Sequence, residues 1–421
     1  MDKRSFIKKF SLLGFAGVPG MKELDQWLPQ FKDRSPEQLA GDENFWDGIR
    51  KGYKLKPDYI NLENGYYCFM PTETLEHYLN HIREVNYKGS YYMRTVQWDN
   101  KKKVAAKLAE IAGCSPEELI VTRNATESLD TIIGGMHWNA GDEAVMAEQD
   151  YESMLDMFKL VAQRYTVINR VVSVPNHPAS DEEIVNLYAN ALNSKTRLLM
   201  IGHMINITGH ILPVQKICDM AHSKGVKVMV DGAHAFAHIK FSIPDLHCDY
   251  YGASLHKWLS VPLGAGILYV KKENIPGVWP LIADGDSKKE SDIYRLNHTG
   301  THPVATDLAI ANAVDYYLKI GAERKEERLR YLQNYWTSLV RNHPNIVVNT
   351  PAENFRACGI ANVGIASMKP ADLAEALYKK YRIYTVAIDY ANVKGCRITP
   401  NIYTIPKELD HLVTALKELA G

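Results

Sequence analysis

A chain of 421 residues, 46% hydrophobic and 23% charged, has a globular composition and is long enough to bury a sizeable core and divide into two domains. Basic and acidic residues cancel at 49 each, which removes the electrostatic reason to expect a nucleic acid or an anionic membrane as partner and favours a small-molecule enzyme. The six cysteines are scattered with no C-x-x-C pair, so neither a disulfide framework nor a cysteine zinc site is expected; His234 and His238 lack an H-E-x-x-H setting, and no metal is expected.

Residues 1–20, MDKRSFIKKFSLLGFAGVPG, join a basic start to an apolar stretch and Pro-Gly, the outline of an export signal with a twin-arginine-like segment at Lys3 to Lys9. A periplasmic location follows if that signal functions, and a cytoplasmic one if the segment is only a frayed amphipathic start. No later stretch is apolar enough over enough length to span a bilayer. Residues 21–57 are polar and are expected to pack beside the C-terminal domain.

From Glu118 onward, short apolar runs alternate with helical patterns. ELIVTR, AVMAEQ, TVINRVVSV, RLLMIGHMI, VKVMVD, DYYGASL and GAGILYVKK read as strands, with helices from Thr126, through MLDMFKLVAQRY and through EEIVNLYANAL. Continuous apolar strands separated by helices imply a mostly parallel sheet covered on both faces, spanning a domain of residues 58–308. After residue 308 the texture changes. A long charged helix precedes NIVVNT, GIANVGI, a helix from Pro370, IYTVAI, CRITPNI and a helix from Pro406, an α+β domain of residues 309–421.

Ligands of such sheets sit at the carboxyl ends of the strands, and there VKVMVD delivers Asp231. A carboxylate at that edge is costly to desolvate unless it meets a cation, such as a protonated ring nitrogen. Lys257 follows after one further strand, and a partly desolvated lysine loses its proton readily and forms a Schiff base with an aldehyde. Together they point to pyridoxal 5'-phosphate: the acid keeps the pyridine nitrogen protonated and the lysine holds the aldehyde and moves protons at the substrate Cα. TRNATESLD supplies a phosphate cradle at a strand-to-helix junction, where Asn124, Ala125 and Thr126 open the helix and free N–H groups face an anion. Ser254, His256 and Thr301 offer further donors. Singly, each feature has a plainer reading as a cap, a turn or a solvated side chain; in this order on this strand pattern the chemical reading prevails.

With these residues in place, the chain resembles the class V aminotransferase family, and within it the isopenicillin N epimerase-like branch. The resemblance runs from Tyr59 to the C-terminus through TRNATES, HMINITGHILPV, VDGAHAFAH, SLHKWLSVPLGAGILYV, GTHP and CRITPNIY. It implies fold type I, an α/β large domain with a mostly parallel seven-stranded sheet and a smaller α+β C-terminal domain. It also implies a catalytic Schiff-base lysine at Lys257, a pyridine-nitrogen partner at Asp231, a contact to the cofactor's phenolic oxygen at His234, and phosphate ligands at Thr126, Ser254 and His256. Thr301 matches a threonine donated from the neighbouring subunit of a homodimer. Asn206 and Arg397 match residues at the substrate carboxylate, and Tyr151 stands where cysteine-cleaving relatives stack a histidine on the ring.

That tyrosine keeps a stack and loses an imidazole acid. A desulfurase also needs a nucleophilic cysteine on a mobile loop, whereas Cys396 adjoins Arg397 in a strand and is expected on the opposite face, and Cys358 is expected to pack in the small domain. The leading expectation is therefore proton transfer at the Cα of an amino acid or peptide-like metabolite, by epimerase or aminotransferase chemistry. The reprotonating group is a phenol such as Tyr151, Tyr91 or Tyr92, or water. A cysteine desulfurase or carbon-sulfur lyase is the alternative, and a catalytically silent protein on the same fold the third. Asn64, Tyr91, Tyr92 and Arg94 are expected to line the substrate entrance, with Arg94 reading a distal carboxylate, or else to pack a domain or dimer interface.

Overall fold

In a computed structural model, which describes residues 21–56, 58–284 and 288–421, a seven-stranded sheet carries the site. The export-signal reading falls on residues 1–20, outside the described residues. Helices α1 (Met21–Trp27), α2 (Pro36–Ala40) and α3 (Glu43–Arg50) lead to a short strand β1 (Ile60–Asn61), followed by α4 (Thr72–Lys88), α5 (Ser90–Thr95) and α6 (Gln97–Ala112). The large domain then runs β2 (Leu119–Thr122), α7 (Ala125–Gly135), β3 (Glu143–Ala147), α8 (Glu152–Tyr165), β4 (Ile168–Val172), α9 (Asp181–Ala191), β5 (Thr196–Gly202), α10 (Val214–Ser223), β6 (Lys227–Asp231), β7 (Tyr250–Ser254) and β8 (Gly266–Val270). The strand order is β2-β8-β7-β6-β5-β3-β4. All neighbours are parallel except β8, which is antiparallel to both β2 and β7.

Because β8 reverses between two strands that point the same way, the carboxyl ends of β2, β3, β5, β6 and β7 share one edge, where such sheets collect ligands. The apolar runs follow from burial. Every residue of β2, β3, β7 and β8 is buried between helical layers, while the edge strand β4 has only exposed and half-buried positions. Among the described residues no helix is long and apolar enough to cross a membrane.

Helix α11 (Val304–Ile320) packs on α4 and α6 and runs through the boundary expected between residues 308 and 309. Beyond it lie α12 (Ala322–Ser338), β9 (Ile346–Val348), β10 (Ala361–Ile365), α13 (Pro370–Tyr381), β11 (Ile383–Tyr384), β12 (Val386–Tyr390), β13 (Val393–Ile398) and α14 (Pro406–Ala420). An antiparallel sheet β12-β13-β10-β9 forms the second domain's centre. The chain just past Asp58 pairs with this domain rather than the large one: β1 lies parallel to β11 and Glu63 bridges Thr399. The segment ahead of it is less polar in effect than its composition suggests. Leu24, Leu28, Phe31, Leu39, Phe45, Trp46 and Ile49 are buried in one apolar cluster with Leu329 of α12 and with Met204, Ala235 and Trp258 of the large domain. That layer backs the loop bearing Lys257.

Candidate active site

Five strand ends build one cavity. It has a volume of about 200 Å³ and is lined from the turn after β2 (Asn124, Ala125, Thr126), the turn after β3 (Asp150, Tyr151), the loop after β5 (Met204, Asn206), the end of β6 (Asp231, His234) and the loop after β7 (Ser254, His256, Lys257), with Gly65, Tyr66 and Arg397 closing it. Residues separated by more than a hundred positions meet because each follows a parallel strand to the same edge.

The phosphate end is built by helix α7. Asn124 caps it, its side chain accepting from the N–H of Glu127 at 2.8 Å, and the Ser254 hydroxyl accepts from the N–H of Ala125 at 2.9 Å. Ser254 thereby keeps its own proton for an acceptor in the cavity. The helix start sits directly on β8: a Cβ on Gly266 would stand 2.7 Å from the Asn124 backbone, so only glycine permits this approach. Nδ1 of His256 is buried and meets no hydrogen-bond partner among the described residues. Burial and the neighbouring Lys257 bring the His256 imidazole down to about 4, so it is neutral at physiological pH. A free hydroxyl proton and a helix N-terminus meeting on one cavity, with the neutral His256 ring in its wall, are what an anion requires.

At the other end, Oδ1 of Asp231 accepts from the Ala233 N–H at 2.9 Å. Burial holds its carboxyl above the ordinary range, and Lys257 opposes that rise. Burial brings the Lys257 ammonium down from 10.5 to about 8, against the pull of Asp231. Nζ stands 2.9 Å from Nε2 of His234, whose Nδ1 accepts from the Trp258 indole N–H at 3.4 Å. An indole only donates, so the neutral imidazole carries its proton on Nε2 and presents it to Lys257. Burial and the Lys257 charge keep His234 well below its ordinary range, so the ring stays neutral, and its Nε2 proton finds a lone pair once the Lys257 amine has lost its own proton. Lys325, buried beneath, donates to the Trp258 carbonyl and fixes the loop from behind. Tyr151 opens helix α8 with its ring centroid 5.9 Å from Nζ of Lys257.

The arrangement fits pyridoxal phosphate: an anion cradle, a carboxylate for a ring nitrogen and a partly deprotonated lysine between them. A family model described as Aminotransferase class-V matches residues 71–387. The chain belongs to the class V aminotransferase family. Among its relatives, isopenicillin N epimerase of Streptomyces clavuligerus is 25% identical over 396 residues, covering 89% of this chain and 98% of that protein. A probable cysteine desulfurase of Synechocystis is 26% identical over 315 residues, covering 72% and 74%. A solved C-DES mutant with glycine covalently linked to its PLP cofactor superposes with a TM-score of 0.77 at 20% identity, covering 85% of this chain and 96% of that one. This member of the class V family is thus a pyridoxal-phosphate-dependent enzyme on fold type I.

Of the residues expected at the site, Lys257, Asp231, His234, Thr126, Asn124, Ala125, Ser254, His256, Tyr151, Asn206 and Arg397 all line the cavity of one class V chain. The other expected residues lie outside this chain's cavity. Asn64 is fully buried and does not line the cavity: its amide donates to the Thr399 carbonyl at 2.6 Å, and its oxygen accepts from Tyr403 and Asn61. It ties the segment after β1 to the second domain and has no free atom for substrate. Arg94 is exposed on α5 and lies outside this chain's cavity, as does Tyr91. Tyr92 is 2% exposed, its hydroxyl accepts from Asn100 at 3.2 Å, and it does not line this chain's cavity. Thr301 is exposed ahead of α11 and does not reach this chain's cavity.

Sequence reading missed Glu63, Gly65, Tyr66, Asp150 and Tyr390. Asp150 lines the cavity beside Asp231, and burial raises its carboxyl to about 7. The Tyr390 hydroxyl accepts from Asn206 at 3.4 Å. The D-Y pair after a strand was a signal for Asp150; Tyr390 approaches across the domain junction and Glu63 meets Arg397 from 334 positions away, and neither leaves a local trace.

Proposed function

We propose that this enzyme moves protons at the α-carbon of an amino acid, or of an amino-acid residue in a peptide-like metabolite, with epimerisation as the leading outcome. The observation that carries the reading is Lys257 and Tyr151 lining one cavity with the Tyr151 ring centroid 5.9 Å from Nζ, a base and a phenol at the cofactor's place. Bound pyridoxal phosphate supplies an electron sink for the α-carbon. Asp231 holds the ring-nitrogen proton, and the α7 N-terminus, Ser254 and His256 anchor the phosphate. Lys257, lowered to about 8 by burial, holds an available lone pair near neutral pH and takes the α-proton. Tyr151 returns a proton from the other side, while Arg397 and Asn206 orient the carboxyl group.

The cysteines weigh against desulfuration. Cys358 and Cys396 are fully buried, and burial pushes their thiols up to about 12 and about 11. Cys396 points into the small-domain core, away from Arg397. A thiolate nucleophile needs the reverse environment. The subunit arrangement belongs to the same proposal: a homodimer in which Thr301 of one chain completes the phosphate cradle of the other.

Visible spectra of wild type and Lys257→Ala with added pyridoxal phosphate, with borohydride reduction and an amino-acid panel in deuterated water, test the reading. A borohydride-sensitive band that Lys257→Ala lacks, together with α-deuteration of particular substrates, is expected. Tyr151→Phe should keep deuteration while losing inversion by roughly 10²-fold or more. Persulfide formation from cysteine without α-exchange would transfer the assignment to the desulfurase class.

A further inference from the structure

Glu63 stands on Arg397, the arginine placed for the substrate's carboxyl group. Nη2 of Arg397 donates to Oε1 at 2.5 Å and Nε to Oε2 at 3.4 Å, and the two side chains are only 9% and 8% exposed. The pair is built in from both sides. Oε1 also accepts from the Tyr66 N–H at 3.0 Å, and Nη1 of Arg397 donates to the Asn206 carbonyl at 3.2 Å. A Cβ on Gly65 would stand 2.7 Å from the Arg397 guanidinium carbon, so the backbone between Glu63 and Tyr66 closes against the arginine through a glycine.

A guanidinium offers a side edge, Nε with Nη2, and an end, Nη1 with Nη2. Glu63 takes the side edge and the Asn206 carbonyl takes one N–H of Nη1, so what Arg397 can offer the cavity it lines is the remaining N–H groups of the end. A substrate carboxylate that docks there becomes the second anion on one cation in a largely desolvated setting, where repulsion between the carboxylates opposes the attraction of the arginine. We propose that Glu63 acts through Arg397 as a specificity residue: it neutralises the arginine in advance, so that the site does not demand a free α-carboxylate and accepts amino-acid derivatives with an uncharged carboxyl, such as carboxamides. The inference rests on the reading that Arg397 faces the substrate's carboxyl group.

The test compares the best-exchanging amino acid with its own carboxamide on the holoenzyme, with binding read from the change in the cofactor's visible absorption. In wild type the two dissociation constants should agree within about tenfold; Glu63→Gln, which keeps the shape and the acceptor for Tyr66, should tighten the acid by about tenfold or more and leave the amide unchanged. A wild-type preference for the acid of about a hundredfold overturns the proposal without any variant. Weaker acid binding alone in Glu63→Gln would make Glu63 a residue that only orients Arg397, and weaker binding of both ligands would place it at the amine; either result ends the proposal. Arg397→Gln separates the layers. It leaves Glu63 uncompensated and should repel the acid far more than the amide, whereas equal effects on both would remove the reading beneath the proposal and the proposal with it.

Discussion

Lys257 is set apart from the other lysines by where its amine is held. Its Nζ faces a neutral imidazole that donates to it, and burial costs the ammonium more than Asp231 returns, so the group falls from 10.5 to about 8. In the unfolded chain the same amine keeps its proton up to its ordinary value, so between pH 8 and 10.5 the unfolded state binds more protons and the cofactor-free protein gains stability as pH rises. Lys325, also lowered to about 8 by burial, shares that window, which makes stability a poor way to isolate Lys257. Reactivity isolates it, because Lys257 lines the cavity and Lys325 is spent on the Trp258 carbonyl. The rate at which pyridoxal phosphate adds to the cofactor-free protein should rise with a midpoint near pH 8 and then level, and the wave should vanish in Lys257→Ala. A rate still climbing through pH 10 would mean that burial does not lower this amine.

Helix α7 shows what one element contributes. Its start is fixed by three local facts: the Asn124 cap, the Ser254 hydroxyl on Ala125 and the bare Cα of Gly266 beneath the Asn124 backbone. Gly266→Ala must push the helix off β8, and overpacking of this kind costs about 1–3 kcal/mol; Asn124→Ala removes only a cap, about 1 kcal/mol. Gly266→Ala should therefore lose pyridoxal phosphate on dialysis with a lower thermal midpoint, while Asn124→Ala shows a smaller shift of the midpoint. Cofactor retention equal to wild type in Gly266→Ala would show that the cradle does not depend on the approach of α7 to β8. This junction also marks what the sequence discloses. TRNATES, VKVMVD and SLHKW were legible because a buried parallel strand writes itself as a continuous apolar run, and the residues after it fall at the ligand edge. The reversal of β8 was not, since an antiparallel buried strand has the same texture. Asn64 was misplaced because a buried amide and a substrate-binding amide look alike in sequence; its partners Thr399 and Tyr403 lie 335 and 339 positions away. Glu63 escaped notice for the same reason, its role being defined by Arg397, 334 positions away in the chain.

At the scale of the whole molecule, apolar surface is left to water on three successive helices. Tyr87, Tyr91 and Trp98, on α4, α5 and α6, are 81%, 68% and 51% exposed, more than an isolated enzyme ordinarily leaves uncovered on neighbouring elements. Thr301 is exposed too, yet its loop is not loose: His302 beside it is paired with Asp307 at 2.8 Å, both side chains nearly buried. A loop tied down in this way, with a hydroxyl that meets no hydrogen-bond partner among the described residues, suits a neighbour's phosphate. If so, Lys257 and Thr301 of one chain serve different sites, and damage to each can be separated by mixing. Thr301→Glu, which sets a carboxylate against the phosphate, and Lys257→Ala should each be inactive in α-proton exchange as homodimers. Co-refolded together they should regain activity, because a mixed dimer contains one site with an intact Lys257 and an intact Thr301. Failure of the mixture to recover, with dimers confirmed by sedimentation, would place Thr301 in its own chain's architecture, and a Thr301→Glu protein with full activity alone would remove it from the site altogether.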